Sequence, residues 1–309
     1  MYSPFFQLQS NPFSQAHPEK SVFLPTSHRL VLELLSKEVN SSSGVLALLG
    51  SIGVGKSSLI KALIEKYKNQ ETEIFFKHLN PSSSLQLSAS EPNHMAVIMK
   101  IFSDSCSLST TYQHNKSVFI LDNANNFNSQ FLNKLLEKVS QRNSSNQPTL
   151  LILTGQEKLQ KQIKNLTAET HSPALFIKQF LLKPFEKDET IDYINHRLLC
   201  AEYSKNTLFD SGAVQSIVNL SKGIPWVINT LCSVSLFQAS LDKQGIITKE
   251  TVSVATEFCF LENPAQNLPP IDSAHSQLTA EPKITTSKKL NKTDIAIRQL
   301  PKHIVSSAA

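Results

Sequence analysis

The strongest chemical signal in the chain is the stretch GSIGVGKSS. It matches the pattern G-x-x-x-x-G-K-[ST], in which the backbone amides of a glycine-rich loop surround phosphate groups. The stretch follows an apolar run typical of a strand and precedes a run with helical periodicity, which is the context that the motif requires. That context disfavours a chance glycine turn ahead of a helix. We therefore predict a phosphate-binding loop made of Gly50, Ser51, Ile52, Gly53, Val54, Gly55, Lys56, Ser57 and Ser58.

Three side chains are predicted to hold a nucleotide with its metal ion. Lys56 would reach the β- and γ-phosphates of ATP, and the Ser57 hydroxyl would take one coordination position on Mg²⁺. Asp122 ends the apolar run SVFIL, at the position of the aspartate that holds Mg²⁺ in P-loop nucleotide hydrolases. A buried strand ending in Asp is a weak signal alone, but a strong one in a chain that also carries the loop. We therefore predict ATP and Mg²⁺ as cofactors, with Ser57 and Asp122 as the metal-binding residues.

Neutral side chains occupy the positions that would catalyse hydrolysis. Asn123 directly follows Asp122, where an ATP-hydrolysing enzyme usually has an acidic residue that activates water. Its amide can hydrogen-bond to water but cannot take the proton. Thr154 ends the next apolar run, TLLILT, and could hydrogen-bond to the attacking water or to the γ-phosphate. Gln156 could act similarly or simply begin a turn with Gly155. Asn123 and Thr154 are therefore the candidate catalytic positions, and we predict that they are degenerate.

Short apolar strands alternate with helices in the part of the chain that carries these residues. This alternation predicts an α/β fold with a parallel sheet covered by helices on both faces. A first helix is predicted from a Ser27 cap through Lys37. Further along, apolar residues recur at three- and four-residue spacing, which predicts a small all-helical domain, and the last segment is rich in Pro, Ser, Thr and Lys, which predicts a disordered tail. The predicted limits are 1–43 for the leader and first helix, 44–184 for the α/β domain, 185–262 for the helical domain and 263–309 for the tail.

Several longer segments follow one family pattern in order. They are GSIGVGKSSLIKAL, VFILDNANNF, LILTGQEKL, LLKPFEKDETIDYINHRL and LSKGIPWVINTLC. Together they resemble the AAA+ ATPases of the general secretion ExeA/GspA type, which belong to the branch that contains ORC and TniB-like proteins. The resemblance covers most of residues 1–262 and implies a P-loop AAA+ fold with a helical lid and an ATPase activity. It also implies that residues 23–28 and the lid wall the adenine pocket, with Trp226 at the nucleotide.

The departures from the family pattern fall on the hydrolytic residues. Asn123 stands where the family has Glu, and Trp226 stands where it has the sensor-2 Arg. Leu175 and Gln179 occupy two further arginine positions. A group that activates water is typically worth roughly 10²- to 10⁴-fold in rate, and a cation at the transferring phosphoryl group about 10³- to 10⁵-fold. We therefore predict that the protein binds ATP with Mg²⁺, hydrolyses it slowly or not at all, and acts as a nucleotide-dependent switch or assembly subunit.

Two other functions stay open at this point. In the first, a partner subunit completes an active ATPase; the chain's own arginines beyond the leader and before the tail are Arg142 and Arg197. In the second, the protein binds DNA with ATP, like the MuB/TniB proteins of transposition. The net charge of +5 permits this, but no helix carries a basic stripe. The favoured partners are ATP and secretion or envelope proteins in a homo- or hetero-oligomer, and nucleic acid is the less favoured one.

Composition favours a cytoplasmic protein. The chain has 309 residues, of which 40% are hydrophobic and 18% are charged, and this allows one large core and a smaller one. Neither a signal peptide nor an apolar run of about 18 residues is evident, so no transmembrane segment is predicted. The four cysteines have no paired spacing. We expect a cytoplasmic location, with a peripheral position at the inner membrane only through a partner.

Overall fold

The computed structural model describes most of the chain before residue 262. The described residues are 2–14, 22–68, 74–79, 96, 98–100, 116–169, 177–204 and 207–261. By its internal contacts the chain divides into two compact units, Met1–Pro269 and Pro270–Ala309, and all described residues lie in the first. The Leu175 position and the predicted tail lie outside the described residues.

A five-stranded parallel sheet carries the predicted site. Because all its strands run in one direction, the loops that follow β1, β3 and β4 emerge at the same edge, where ligands bind in open parallel sheets. In space the strands lie in the order β2-β3-β4-β1-β5, and β1 pairs with both β4 and β5. The strands are β1 (Gly44–Leu49), β2 (Ile74–Leu79), β3 (Lys116–Leu121), β4 (Thr149–Gly155) and β5 (Ile177–Leu181).

Helices cover both faces of the sheet. On β1, Val45 and Ala47 pack in one apolar cluster with residues of α4 and α5, whereas Leu46 and Leu48 pack in another with residues of α2 and α3. Burial on both faces explains why the central strands are continuous apolar runs without polar alternation. The helices up to this point are α1 (Ser3–Phe6), α2 (Thr26–Ser41), α3 (Lys56–Lys68), α4 (Ser129–Ser144) and α5 (Glu157–Glu169).

Four further helices form an all-helical part, which we call the lid. The first begins at a capping box, in which the Glu186 side chain accepts the Glu189 N–H and the Glu189 side chain accepts the Glu186 N–H. The second begins at Asp210, whose carboxylate accepts the Ala213 N–H at 2.6 Å. These helices are α6 (Lys187–Cys200), α7 (Ser211–Ser221), α8 (Pro225–Leu241) and α9 (Lys249–Leu261).

The N-terminal segment packs on the lid. Its apolar side chains, among them Phe6 and Phe13, are buried in the same cluster as the core residues of α6 to α9. Arg197 of α6 donates hydrogen bonds to the backbone carbonyls of Pro12 and Ser14, the latter at 2.6 Å. The leader is therefore held by the lid through both apolar contacts and a buried guanidinium.

The predicted fold class is confirmed, with a parallel sheet between helices followed by an all-helical part. The domain limits remain predictions. The Ser27 cap is wrong, because Pro25 occupies the cap position, extended at φ −64° and ψ 169°, and α2 begins at Thr26. Ser27 thus lies inside the first turn, and its hydroxyl lies 3.2 Å from a carboxylate oxygen of Glu189. The helix also continues past Lys37.

Candidate nucleotide-binding site

The predicted phosphate loop connects β1 to α3 at the carboxyl edge of the sheet. The Gly50 N–H donates to the Gly155 carbonyl of β4 at 3.1 Å, which ties the start of the loop to the neighbouring strand. Gly53 and Gly55 adopt φ values of +72° and +105°, which side-chain-bearing residues rarely adopt. Because α3 begins at Lys56, its first N–H groups have no acceptor within the helix and form an anion-binding end.

The side chains of the loop divide by exposure. Ile52 is exposed at 62%, whereas Val54 is completely buried. Ser58 is exposed on α3. The Ser51 hydroxyl is buried and has no hydrogen-bond partner among the described residues. A buried hydroxyl left unpaired in a loop of this type leaves one polar group for a ligand to satisfy.

Lys56 points back into the loop. It is only 7% exposed, and its Nζ donates to the Gly50 and Ser51 carbonyl oxygens at 2.9 and 2.8 Å. An ammonium group has three N–H donors, so one remains for a phosphate oxygen. Burial lowers the pKa of Lys56 to about 8, and attraction to the Asp122 carboxylate opposes that shift. The lysine is therefore buried next to the site with its charge only partly compensated.

Asp122 lies just after β3 and is 1% exposed. One carboxylate oxygen, Oδ2, accepts the Ser57 hydroxyl at 2.8 Å. The other, Oδ1, accepts the Thr154 hydroxyl and the Asn123 N–H. Both predicted metal-binding residues are thus in direct contact. A serine hydroxyl beside a carboxylate is a donor set that suits Mg²⁺, which binds a few protein oxygens together with phosphates and water.

The two predicted catalytic positions belong to the same network. Thr154 is completely buried; its hydroxyl donates to Asp122 and accepts the Asn123 N–H at 3.1 Å. Asn123 has a left-handed backbone, with φ 54° and ψ 42°, a conformation that asparagine tolerates better than most residues. The structure therefore brings both residues to the carboxylate. Their assignment to hydrolysis stays a prediction.

Asn125 is a polar residue that the sequence analysis did not single out. It is 6% exposed, and its Oδ1 accepts the Gln156 N–H at 3.3 Å. It thereby joins the loop after β3 to the end of β4. The repeated asparagines of DNANNF were the available signal, since short polar side chains after a buried strand often bind neighbouring backbone. Gln156 itself is half-buried at the start of α5.

Trp226 lies at the contact between the lid and the loop. Its backbone N–H, in the first turn of α8, donates to the Gly53 carbonyl at 3.2 Å. A Cβ added at Gly53 would lie 2.5 Å from the Trp226 Cβ, so only glycine fits at this approach. The lid is in contact with the phosphate loop here, at the position where the family resemblance implies a sensor arginine.

The described arginines are used within the chain. The chain contains four arginines, and the structure describes Arg29, Arg142 and Arg197. Arg29 donates to the Leu24 carbonyl at 3.2 Å, and Arg142 donates to the Thr149 hydroxyl at 2.9 Å. Arg197 binds the carbonyls of the leader. Gln179, at another arginine position of the family, is exposed on β5.

Comparisons with known proteins agree with this geometry. Residues 39–163 match the family described as AAA domain. The chain is similar to General secretion pathway protein A of Aeromonas hydrophila, with 25% identity over 266 residues that cover 82% of this chain and 48% of that protein. The chain thus spans about half the length of this relative.

Solved structures show the same fold. The chain is similar to Drosophila ORC bound to DNA, with a TM-score of 0.55 and 14% identity over 83% of this chain and 66% of that one. It is also similar to a Walker-type ATPase of Pyrococcus abyssi, with a TM-score of 0.55 and 16% identity over 81% of this chain and 78% of that one. Within the described residues, no helix combines the length and the apolar character needed to cross a bilayer.

Proposed function

Because residues 39–163 belong to the AAA domain family and lie in an AAA+ fold, we propose that the protein binds ATP with Mg²⁺ and hydrolyses it slowly or not at all. In this proposal Gly50 to Ser58 bind the phosphates, and Ser57 and Asp122 bind the metal ion. The proposal is supported by a contrast between two halves of one site: a binding half, whose residues would hold the phosphates and the metal ion, and a hydrolytic half, whose positions would catalyse hydrolysis. In the binding half Lys56 and Asp122 are buried and Ser57 is hydrogen-bonded to Asp122, whereas the residue beside Asp122 is the neutral Asn123.

The binding half needs little rearrangement to accept a triphosphate. Lys56 keeps one N–H free of the loop carbonyls, and the Ser57 hydroxyl lies 2.8 Å from Asp122. When bound, Mg²⁺ would withdraw charge from the β- and γ-phosphates. The Thr154 hydroxyl uses its only hydrogen to donate to the Asp122 carboxylate. The role of Thr154 in this proposal is therefore to orient Asp122.

Among the described residues, the family's base and sensor-cation positions in the hydrolytic half are held by the neutral Asn123 and Trp226. Asn123 can hold a water molecule but cannot accept its proton, and Trp226 cannot neutralise charge on the phosphoryl group. Residues that act as a unit are not additive, so the two losses are not multiplied. The expected turnover is roughly 10⁻⁴ to 10⁻³ s⁻¹, the range of an unassisted phosphate-binding loop. A protein of this kind acts through its bound nucleotide, as a switch or as an assembly subunit.

Nucleotide binding is tested by thermal unfolding with ATP and Mg²⁺. Ligand at about a hundredfold excess over its Kd should stabilise the protein by about 2.7 kcal/mol. Lys56→Ala should abolish the shift, whereas Lys61→Ala, which removes an exposed lysine of the same helix, should keep it. An absent shift in the wild-type protein contradicts ATP binding. A turnover above about 1 s⁻¹ that Lys56→Ala removes contradicts the slow hydrolysis.

A secretion or envelope partner is the context that we propose for the switch. The support is the similarity to General secretion pathway protein A, and the peripheral membrane position would follow from that partner. Oligomerisation, with copies of itself or with another protein, is part of the same proposal. Size measurement by light scattering with ATP, with ADP and without nucleotide should show a mass that depends on the nucleotide. One identical mass in all three states argues against an assembly subunit.

The first alternative is an active ATPase that a partner subunit completes by supplying a cation, and the contacts of the chain's own arginines limit where that cation could come from. Arg142 and Arg197 are buried and hydrogen-bonded within the chain, so a cation supplied in trans would come from a different protein, from the exposed Arg29, from Arg298 or from a lysine. Purified protein alone should then be inactive at any concentration and become active on adding that partner.

DNA binding is the second alternative, and one observation favours it. Exposed lysines lie on α4 and α5, which pack side by side: Lys134, Lys138, Lys158, Lys161 and Lys164. Two solved structures of similar fold are described as bound to DNA. ATP-dependent affinity for duplex DNA that falls steeply with salt would support this reading, because the slope counts released counterions. Absent binding at low salt would remove it.

A further inference from the structure

A chain of polar side chains joins the phosphate loop to the lid. His28 on α2 is 3% exposed, and its Nε2 lies 3.1 Å from the Val54 carbonyl oxygen of the loop. Its Nδ1 lies 3.2 Å from the Ser27 hydroxyl oxygen. That hydroxyl lies 3.2 Å from Oε2 of Glu189 on α6, and the Ser27 N–H donates to Oε1 at 3.3 Å. We call His28, Ser27 and Glu189 the His28 bridge.

The surroundings hold the bridge in this geometry. The Phe185 ring packs against the imidazole edge-on, with 4.9 Å between centroids. The backbone of Gly55 lies close to the ring, since a Cβ there would lie 3.6 Å from Nε2, in ordinary van der Waals contact. Glu189 is fixed independently, because it accepts the Glu186 N–H at 3.0 Å in the capping box of α6. Both ends of the bridge are therefore anchored to backbone.

Counting hydrogens gives the bridge two states. A carbonyl oxygen only accepts, so Nε2 of His28 carries a hydrogen. In a neutral ring Nδ1 then accepts from the Ser27 hydroxyl, and no hydroxyl hydrogen is left for Glu189. In a protonated ring Nδ1 donates to the Ser27 oxygen, and the hydroxyl hydrogen goes to Glu189. The Ser27 N–H donates to Glu189 in both states, and the protonated ring adds a second hydrogen bond to Glu189 from the Ser27 hydroxyl.

We propose that His28 is a positioning residue for the nucleotide, which holds the phosphate loop at Val54 and couples it to the lid helix α6 through Ser27 and Glu189. Val54 lies between two glycines with positive φ, so the hydrogen bond to its carbonyl holds the Val54–Gly55 peptide plane, whose N–H would donate to a bound phosphate. The inference rests on the proposed nucleotide binding of this loop. The coupling strengthens when the ring gains a proton.

The neighbours of the ring set the direction of the pH dependence. Burial lowers the pKa of His28, and the Val54 carbonyl and the Glu189 carboxylate oppose that shift. Glu189 is the charged group that faces the ring from α6; the loop presents backbone, and Phe185 presents an aromatic edge. The ring is therefore neutral at neutral pH and gains its proton in acid, which should increase the affinity for nucleotide.

The first experiment compares two amides at position 28. The Nε2 of Gln can reach the Val54 carbonyl as the imidazole does, whereas Asn is too short. Calorimetric titration with ATP and Mg²⁺ at about pH 7.5 should give a Kd for His28→Asn that is about 3- to 10-fold weaker than for His28→Gln, as expected for one neutral hydrogen bond. Equal Kd values for the two variants would overturn the proposal, even if both unfold at lower temperature than the wild-type protein.

The second experiment isolates the proton. The ratio of Kd for His28→Gln to Kd for the wild-type protein cancels the ionisation of ATP itself. This ratio should rise about fivefold as the pH falls from about 7.5 to about 5.5, because a charge-assisted hydrogen bond is roughly twice as strong as a neutral one. In a Ser27→Ala background the rise should be reduced. A flat ratio overturns the coupling while ATP binding stands, whereas a wild-type protein that does not bind ATP overturns both.

Discussion

Alkaline pH should weaken nucleotide binding through Lys56. The perturbation is a change of pH from about 7 to about 9, with no substitution. Burial holds the pKa of Lys56 at about 8 in the free protein, and a bound triphosphate would favour the ammonium and raise that pKa. Nucleotide binding above pH 8 would therefore take up a proton, and the affinity must fall as the pH rises through the pKa of the free protein.

The size of the effect follows from the fraction of protonated lysine. With a pKa of about 8, roughly nine-tenths of Lys56 is charged at pH 7 and roughly one-tenth at pH 9. The apparent Kd is the intrinsic Kd divided by the competent fraction, so it should rise about tenfold over this range. The stability of the free protein responds in the opposite sense. The unfolded lysine binds a proton that the folded one has lost, so this residue contributes a gain in stability as the pH rises above 8.

Calorimetric titration with ATP and Mg²⁺ at several pH values measures the change. Repeating it in buffers of different ionisation enthalpy counts the proton taken up. Lys56→Arg is the matched variant, because a guanidinium stays charged over this range, and its Kd should stay flat whatever its absolute value. A wild-type Kd that changes by less than about twofold would refute the argument that burial lowers the pKa of Lys56 in the free protein.

Three further substitutions test separate parts of the structure. Gly53→Ala should destabilise the protein by about 1–3 kcal/mol in chemical unfolding, because the new Cβ meets Trp226 at a φ of +72°, and ADP should dissociate faster in stopped-flow measurements. Asn123→Glu should raise ATP turnover by roughly 10²-fold in a coupled assay, the lower end for a general base, whereas Asn123→Gln should not; equal rates would show that the missing cation alone limits hydrolysis. Arg197→Met should cost about 1–3 kcal/mol of stability, since it removes two hydrogen bonds to the leader, and limited proteolysis should then cut the leader first.

The fold and the phosphate loop could be predicted because their signals are local. Strands buried on both faces appear as apolar runs, and the spacing of Gly50, Gly55, Lys56 and Ser57 encodes the loop without reference to any distant residue. The position of Asp122 and Ser57 at one edge of the sheet follows from the parallel strands, since β1 and β3 end at that edge. These inferences need only periodicity and strand direction.

The contacts between distant segments could not be predicted. The hydrogen bond from Trp226 to Gly53 and the one from His28 to Val54 join residues that are far apart in sequence, and neither pair has a local signature. The left-handed backbone of Asn123 could not be predicted from the sequence either, because asparagine is common in ordinary turns as well. Hydrophobic periodicity predicts which face of a helix or strand is buried, but it does not predict where a side chain at the end of that element points.

The strand order has a consequence for the growing polypeptide. β1 lies between β4 and β5, so Leu46 is paired with Ile152 and Lys178, partners that the ribosome adds more than a hundred positions later. Loop closure on this scale is slow compared with local helix formation. A nascent chain released before β5 would leave β1 with one bare edge and the Gly50 turn without its full support. Affinity for nucleotide should therefore appear late in synthesis, soon after residue 181 has left the exit tunnel. In a series of arrested chains of increasing length, nucleotide binding should rise abruptly at that length.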